Sequence, residues 1–313
     1  MSETILRQTL IMLILMAVGV LCAKIGMIRP ETNKDLSKIV LQVVNPATIF
    51  MSYQTDYRPE LAKELIHSFA LSAAVFAALI AGAYILVRKK PGRDLGVERF
   101  SAIYSNCGFM GIPLADALFG AEGVFCLTAF ITVFNIMVWT HGVILISGEK
   151  SLKQAVKVLY SPTIISIVLG IVCFFGRIRL PEVPLSAVGF IKELNTPLAM
   201  IVSGVTIAST DLKALVKKMA VWRTCGIRLI ILPAVISLLV SVVPVEEKVR
   251  LVVLLAAAAP PAAMCTLFSI RYGRDSLLAS EIFTCGTILS VITLPAAVRF
   301  TEFLTKILTP LCE

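Results

Sequence analysis

Two apolar stretches of this chain are interrupted, at Ser105-Asn106-Cys107-Gly108-Phe109-Met110-Gly111-Ile112-Pro113 and, about 150 residues later, at Ala258-Ala259-Pro260-Pro261-Ala262. Glycine and proline break helices, and at membrane depth the freed backbone groups are tolerated only where protein or a wet cavity receives them. Matched breaks in the two halves of a chain are typical of the binding site of a membrane transporter.

The composition places the chain among integral membrane proteins. Of its 313 residues, 58% are hydrophobic and 16% are charged, and the mean hydropathy of +0.89 is far above that of a soluble domain. Because about 20 residues cross a hydrocarbon core of ~30 Å, each run without Asp, Glu, Lys or Arg is a candidate span. Ten such runs occur, at residues 8–23, 39–55, 65–87, 100–115, 123–148, 158–176, 194–210, 229–245, 251–270 and 282–298.

The N-terminal run and the cysteines both have structural interpretations. The run at 8–23 is expected to remain in the protein, because Met1-Ser2-Glu3-Thr4 offers almost no basic region and no small-residue cleavage pattern follows. The eight cysteines are isolated, form no CxxC pair and have no histidine at ligand spacing. They are predicted to pack as small apolar side chains, so no metal, disulfide or cofactor is expected.

The distribution of basic residues predicts an orientation. With ten spans, 19 of the 29 Lys and Arg residues lie at the loops that follow odd-numbered spans. Cytoplasmic loops are enriched in Lys and Arg, so these loops are predicted to face the cytoplasm and both termini to face outward. The net charge of +9 is then mostly a topology signal, and no stretch is long enough for a soluble basic domain that would bind nucleic acid.

The chain also has signs of an internal repeat. Asn45-Pro46 in the second run has a counterpart 150 residues later in Asn195-Thr196-Pro197, and the basic loop 149–157 lies where two five-span halves would join. Because five is odd, the second half must enter the membrane from the opposite side. The predicted fold is an all-α membrane protein of ten transmembrane helices in two inverted five-helix repeats, residues 1–148 and 158–313.

Each interruption is predicted to divide its span into two half-helices, because a regular helix is not sustained through Gly108, Gly111 and Pro113 or through Pro260 and Pro261. The half-helix that begins near Pro113 would present free amides and a partial positive charge, which suits a carboxylate. A pair of simple kinks is the alternative.

Two asparagines, Asn106 and Asn135, are the polar side chains best placed to line such a cavity. An amide can donate to a carboxylate oxygen or accept from a backbone amide, so it suits substrate binding. Both side chains could instead hold neighbouring helices together.

Three charged residues lie plausibly inside spans. Intramembrane carboxylates commonly mark ion or proton paths, so Asp116 and Glu281 are candidates for binding a coupling proton or sodium ion. Asp116 could instead cap the half-helix after Pro113, and Glu281 could reach the headgroups. Arg228 is interpreted as a snorkelling side chain or, alternatively, as a counter-charge for the substrate.

Other function classes lack support in the sequence. An intramembrane enzyme would need a nucleophile with its base, paired aspartates or a zinc motif, and the spans hold none of these. No loop exceeds about 18 residues, which leaves no room for the soluble output domain of a sensor. Transport is therefore favoured over catalysis or sensing.

Motifs in the first half resemble the auxin efflux carrier family. Residues 106–113, the stretch Leu118-Phe119-Gly120-Ala121-Glu122-Gly123, and Asn135 with Trp139 and Gly142 resemble the fourth and fifth spans of that family. The resemblance covers essentially the whole chain and is most specific at spans four and ten.

Motifs in the second half resemble the same family. Arg271-Tyr272-Gly273 and the stretch from Thr287 to Pro295 are similar to its last two spans. Plant members carry a longer asparagine and proline signature where this chain has Asn45-Pro46, and they have a long central cytoplasmic loop. The differences favour a compact bacterial-type member.

The resemblance implies a carrier related to the bile acid:sodium symporter fold, with spans 1, 2, 6 and 7 as a scaffold and spans 3–5 and 8–10 as a moving core. Spans four and nine would cross at their breaks, with Asn106, Pro113, Asn135 and Pro260 at the crossover. The substrate-binding residues expected there are Asn106, Gly108, Gly111, Pro113, Asn135, Pro260 and Pro261. Family substrates are organic anions, among them auxin in plants and dicarboxylates such as malate or malonate in bacteria.

The function expected from this resemblance is elevator-type secondary transport of a small carboxylate across the cell membrane. A homodimer formed through the scaffold is the expected assembly. The alternative is a sodium-coupled organic anion or bile acid-type symporter on the same fold.

Overall fold

The computed structural model describes residues 2–148 and 160–312, and this part of the chain is helical without strands. The predicted connecting loop 149–157 lies outside the described residues. The α-helices are α1 (Ser2–Lys24), α2 (Pro30–Ile39), α3 (Asn45–Ser52), α4 (Pro59–Leu86), α5 (Leu95–Ile103), α6 (Ile112–Met137), α7 (Val143–Ser147), α8 (Pro162–Gly176), α9 (Glu182–Glu193), α10 (Asn195–Ala208), α11 (Leu212–Val216), α12 (Met219–Gly226), α13 (Leu232–Val242), α14 (Glu247–Ala258), α15 (Met264–Arg271) and α16 (Ser276–Cys312).

The helices include long apolar segments that span a membrane by length and composition. Six segments of the described chain qualify: Glu3–Lys24, Pro59–Leu86, Cys107–Ser147, Glu182–Ala208, Met219–Val242 and Ser276–Leu308. A shorter apolar helix occupies Pro162–Gly176. The prediction of an all-α, multi-pass membrane protein is confirmed.

Short π-helical turns let several helices continue past a proline. They occupy Val40–Val44, Cys107–Gly111 and Ile227–Ile231, and each is followed by a helix with proline at its first or second position. A proline lacks the amide for the i−4 carbonyl and collides with it, and the wider π turn relieves both problems. Pro113 therefore does not begin a half-helix as expected, because the helical segment already starts at Cys107.

The segment Cys107–Ser147 contains a chain reversal. Gly120 has φ of +59°, and a Cβ atom placed on Gly123 would lie 2.3 Å from the carbonyl oxygen of Ala115. In a continuous helix these residues would be separated by about 12 Å along the axis. The chain therefore turns back on itself at Gly120, whose positive φ favours glycine.

Helices α1 and α10 pack backbone against backbone. A Cβ atom on Gly19 would lie 2.2 Å from the carbonyl oxygen of Ile201, and one on Gly204 would lie 2.0 Å from that of Met16. Small residues at membrane-helix contacts allow this close approach. Both helices contribute residues to the lining of the cavity described below.

Connections between helices contact one another in two separate groups. In the first group, Arg274 Nε donates to the carbonyl oxygen of Ile146 at 2.7 Å, and the backbone amide of Asp275 donates to Asp94 Oδ2 at 3.2 Å. This group therefore includes the ends of α7 and α15 and the start of α5.

In the second group, the backbone amide of Leu180 donates to Gln54 Oε1 at 2.9 Å. Lys248 Nζ lies 2.7 Å from both Glu64 and Glu122. This group includes the connections before α4, α9 and α14 and the reversal near Gly120.

Candidate functional site

Two interruptions of the helices bind each other directly. The first break, residues 104–106, separates α5 from the π turn at Cys107, and the second break, residues 259–263, separates α14 from α15. The backbone amide of Asn106 donates to the carbonyl oxygen of Pro260 at 2.7 Å, and that of Ala262 donates to the carbonyl oxygen of Tyr104 at 2.9 Å. Four half-helix ends therefore meet at one place, which we call the crossover.

A cavity of about 590 Å³ lies beside the crossover. The N-terminal residues of both half-helices line it, Asn106 to Gly108 on one side and Ala262 to Met264 on the other. The opposite wall comes from α2, the adjoining π turn, α3 and α10, which contribute Asn33, Asn45 and Thr206. The cavity is thus bounded by two different sets of helices.

The charged side chains among the described residues that line the cavity are all lysines. Lys24 at the end of α1 and Lys34 and Lys38 on α2 line it, and all three are exposed; Lys38 Nζ lies 2.8 Å from Asp35 Oδ1, which is outside the lining. None of the described lining residues is Asp, Glu or His. The backbone amides at two helix N-termini add partial positive charge, so the cavity suits an anion.

Unpartnered polar atoms lie along the wall at the crossover. Asn106 is 7% exposed and its Nδ2 has no hydrogen-bond partner, and Thr266 Oγ1 also has none. A buried amide nitrogen without an acceptor is destabilising by roughly 1–3 kcal/mol, so it indicates a missing partner. The side chain of Asn106 is therefore prepared to donate to a bound acceptor.

Two buried asparagines form a hydrogen bond in the cavity wall that lies opposite the crossover. Asn195 Nδ2 donates to Asn45 Oδ1 at 2.7 Å, and both residues are buried. Asn45 lines the cavity, and its Nδ2 would be 3.2 Å from a Cβ atom placed on Gly108. Asn45 and Asn195, which were predicted to occupy equivalent repeat positions, are therefore in direct contact, and Asn45 lies close to Gly108 at the crossover.

The structure separates the predicted binding residues into two sets. Asn106, Gly108 and Asn135 line the cavity, and the Nδ2 of Asn135 also donates to the Ile131 carbonyl oxygen at 2.8 Å. The other four predicted residues do not line it: Gly111, Pro113, Pro260 and Pro261. Pro260 and Pro261 form the second break itself, whereas Gly111 and Pro113 lie in the helical segment after the first.

The predicted coupling carboxylates lie outside the cavity lining. Asp116 Oδ1 is 3.1 Å from Lys192 Nζ, and its side chain is 38% exposed. Glu281 is buried, with its two carboxylate oxygens 2.7 and 2.8 Å from Lys218 Nζ. Each carboxylate therefore has a basic partner on another helix or connection.

Arg228 does not snorkel. Its side chain is fully buried, with no exposed surface, and it does not line the cavity. The interpretation as a snorkelling residue is wrong, and the alternative of a counter-charge for the substrate would require a side chain that is not part of the cavity lining.

Sequence reasoning also missed several residues. Glu98 is 1% exposed and pairs with Arg93 and with Arg223, whose Nη2 lies 2.8 Å from Glu98 Oε2. Its position two residues before an uncharged run was the available signal. Ser105 and Thr266 gave no signal, because serine and threonine are common in membrane helices.

The described residues form no cluster of metal-binding side chains. Among residues 2–148 and 160–312, no group of three or more His, Cys, Asp or Glu is arranged to hold a metal ion.

Comparison with known proteins identifies the family. A family profile described as membrane transport protein matches residues 4–157 and 151–298. The chain belongs to this family. The match confirms the resemblance to the auxin efflux carrier family and covers most of the chain.

Relatives from archaea and bacteria carry names consistent with this family. An uncharacterized transporter of Methanothermobacter thermautotrophicus is 26% identical over 301 residues, 94% of this chain and 96% of the relative. One from Methanocaldococcus jannaschii is 28% identical over 295 residues, 89% of this chain and 93% of the relative. A Rhizobium meliloti protein named as a candidate malonate transporter is 24% identical over 297 residues, 89% of this chain and 90% of the relative.

Proposed function

We propose that this family member is a secondary transporter of small carboxylates that binds its substrate in the cavity at the crossover. The observation that carries the proposal is the unpartnered Nδ2 of Asn106, buried between two half-helix N-termini in a cavity whose described lining has lysines and no carboxylates. Amide donors and helix N-termini stabilise a carboxylate and disfavour a cation.

The size and charge of the cavity fit a small anion. A volume of about 590 Å³ lies within the range of small-molecule sites, and three lysines at one end would attract anions. The relative named for malonate supports a dicarboxylate as the first compound to test. One carboxylate would bind at Asn106, and the second would lie toward the lysines.

We propose the ten-helix inverted-repeat architecture for the same chain. The reversal at Gly120 supports it, because this reversal divides the longest apolar segment into two crossings. The two separate groups of connections are those expected at the two surfaces of such a bundle. The buried pair of Asn45 and Asn195, 150 residues apart, is the contact expected between equivalent positions of two repeats.

Alternating access would arise from movement between the two walls of the cavity. In the proposed division, α1–α3 and α8–α10 form the scaffold, and α4–α7 and α11–α16 form the core. Few polar contacts join the two parts across the interface, among them the ion pair of Asp116 with Lys192 and the hydrogen bond of Tyr53 Oη with Thr128 Oγ1 at 2.5 Å. An interface with few polar contacts permits an elevator-type displacement.

The cavity end lined by Lys24, Lys34 and Lys38 belongs to the connection predicted to be cytoplasmic. The structure would then represent an inward-facing state in the inner (cell) membrane, with both termini outside. Arg228 is in the interior, so 18 of the 29 basic residues rather than 19 support this orientation. A cysteine at position 91 should be labelled from the cytoplasm and one at position 60 from the exterior, and the reverse pattern would overturn the orientation.

The function is tested by the thermal stability of the purified protein in detergent. Malonate, malate and acetate, each as a choline salt at equal ionic strength, are compared with choline chloride. A ligand that binds only the folded state at 100 times its dissociation constant stabilises it by about 2.7 kcal/mol. At least one carboxylate should raise the melting temperature of the parent and raise that of Asn106→Ala much less. Equal shifts in both proteins, or no shift in the parent, would reject the site.

A further inference from the structure

Arg228 donates all of its N–H groups to backbone carbonyls at the crossover. Nε and Nη2 donate to the carbonyl oxygen of Ala259 at 3.1 and 2.7 Å, and Nη2 also donates to that of Ala257 at 2.6 Å. Nη1 donates to the carbonyl oxygens of Ala102 and Ile103 at 3.1 and 3.2 Å. A guanidinium has five N–H groups, so none remains for a ligand.

The two breaks explain why these carbonyls need a partner. In a continuous helix the Ala257 carbonyl would accept from residue 261, but Pro261 has no amide hydrogen. The Ala102 carbonyl would accept from Asn106, whose amide instead donates to Pro260. The C-terminal ends of α5 and α14 are thus left with free carbonyls inside the protein, and Arg228 satisfies them.

The positive charge of Arg228 offsets the partial negative charges of the two helix C-termini at the crossover. Each helix C-terminus carries roughly half a negative charge, so two converging ends amount to about one. A cluster of backbone carbonyl oxygens of this kind is also the environment in which alkali metal ions bind in membrane proteins. The guanidinium supplies the positive charge permanently and is covalently attached to the chain.

We infer that Arg228 takes the place of a coupling ion at the crossover, so that this carrier moves its anion without sodium or a proton. The statement that the protein carries an anion rests on the proposed function, whereas the role of Arg228 as a resident cation does not. A transported ion must bind and leave in each cycle, and a tethered guanidinium cannot leave.

The remaining charged groups support the same conclusion. None of the described residues that line the cavity has a carboxyl or imidazole group that could carry a proton with the substrate. Asp116 and Glu281 lie outside that lining and are paired with Lys192 and Lys218. An anion that leaves a negative-inside cell gains ~2.3 kcal/mol per charge per 100 mV, so uncoupled export is downhill.

The role of Arg228 is tested first by stability, without any substrate. The parent, Arg228→Ala and Arg228→Lys are purified in detergent, and melting temperatures are compared in choline, sodium and methylguanidinium chlorides at equal ionic strength. The parent should melt at the same temperature in choline and sodium. Arg228→Ala should melt several degrees lower in choline and recover in millimolar methylguanidinium, which fills the vacated space and meets the same carbonyls.

Arg250→Ala is the matched control. Arg250 also donates to backbone carbonyls at a helix end, those of Val240, Val243 and Val245, but it lies away from the crossover and is half-buried. Its variant should lose stability without recovering in methylguanidinium. If Arg228→Ala fails to fold, Arg228→Lys should fold with a lower melting temperature, because three ammonium donors replace five.

Several results would overturn the inference. Stabilisation of the parent by sodium relative to choline would show a separate sodium site, and a parental melting temperature for Arg228→Ala in choline would show that the carbonyls need no cation. Failure of methylguanidinium to stabilise a folded Arg228→Ala protein would also overturn the inference. In liposomes, accumulation of a confirmed substrate driven by a sodium or proton gradient in the parent would reject uncoupled transport, while the substrate site itself would stand.

Discussion

The two breaks at the crossover have the same backbone arrangement but different chemistry. Each ends one half-helix and begins another, and each exchanges one backbone hydrogen bond with the other. The first break contributes the polar side chains of Ser105 and Asn106, whereas the second consists of alanine and proline, Ala259 to Ala263. The comparison teaches that a broken-helix pair can be built by unlike residues, because backbone geometry alone provides the helix ends.

In the proposed site, recognition by side chains would therefore be concentrated in the first break. Asn106 offers an unpartnered amide at the cavity, while the second break offers only backbone groups, with the Thr266 hydroxyl in the following helix. A substrate carboxylate would contact backbone amides from both breaks. Only the first break would also provide a side-chain donor. Substitutions at the two breaks should consequently differ in size and in kind.

The largest effect is expected at Asn106. Asn106→Ala removes one donor to a charged ligand, which should cost about 1.5–3 kcal/mol and weaken substrate affinity roughly ten- to hundredfold. Thr266→Val is the control from the second half-helix, and its effect should be only a few-fold. Titration calorimetry on folded protein measures both. Equal losses would show that recognition is shared by the two breaks.

Restoring an amide in the second break should impair transport next most strongly. Pro261→Ala supplies the N–H that the Ala257 carbonyl lacks, so it allows α14 to extend and to compete with Arg228. A transport rate lowered roughly tenfold is expected in liposomes, with folded protein retained. Pro113→Ala is the matched control and should transport like the parent, because Pro113 lies in a helical segment seven residues beyond the first break. A comparable loss at Pro113 would contradict this distinction.

A moderate effect is expected from a methyl group in the gap between the two walls. Gly108→Ala places a Cβ atom 3.2 Å from Asn45 Nδ2, so this amide must shift from its position in the cavity wall. Substrate affinity should fall by roughly three- to tenfold, or about 0.6–1.4 kcal/mol. Gly111→Ala serves as the control, since its nearest neighbour, Cys107 Cβ, would be 3.4 Å away and Gly111 lies outside the cavity. Unchanged binding by Gly108→Ala would mean that Asn45 takes no part in the site.

The smallest effect on stability is expected at Asp116, in the half-helix after the first break. Asp116→Asn removes the ion pair with Lys192, and partly exposed pairs contribute at most about 1 kcal/mol, so the melting temperature should change little. Substrate exchange should persist, because Asp116 does not line the cavity. Loss of exchange in folded Asp116→Asn protein would show that the first break extends its chemistry beyond Asn106.

Sequence patterns were sufficient for features that depend on local composition. The uncharged runs predicted a multi-pass helical protein, because lipid excludes charge along any stretch that crosses it. Gly108, two residues after Asn106, and the prolines at 260 and 261 indicated the breaks, because glycine and proline interrupt regular helices. Asn106 was identified as a cavity residue because few polar side chains occupy such a position.

Other features depended on neighbours that are distant in sequence. The sequence suggested that Pro113 begins a half-helix, but a preceding π turn accommodates the proline, and that turn has no distinct local signature. Glu98 was overlooked because its partner Arg223 is 125 residues away.

By itself, the sequence determined that this protein is a helical membrane protein with two helix breaks, since hydrophobicity and backbone restrictions act residue by residue. Only the tertiary structure decided that the breaks bind each other, that Asn106 Nδ2 is left without a partner and that all N–H groups of Arg228 donate to four backbone carbonyl groups. Whether a buried polar group is satisfied depends on which atoms lie within 3.5 Å of it, and for Arg228 those atoms come from segments about 30 and about 125 residues away.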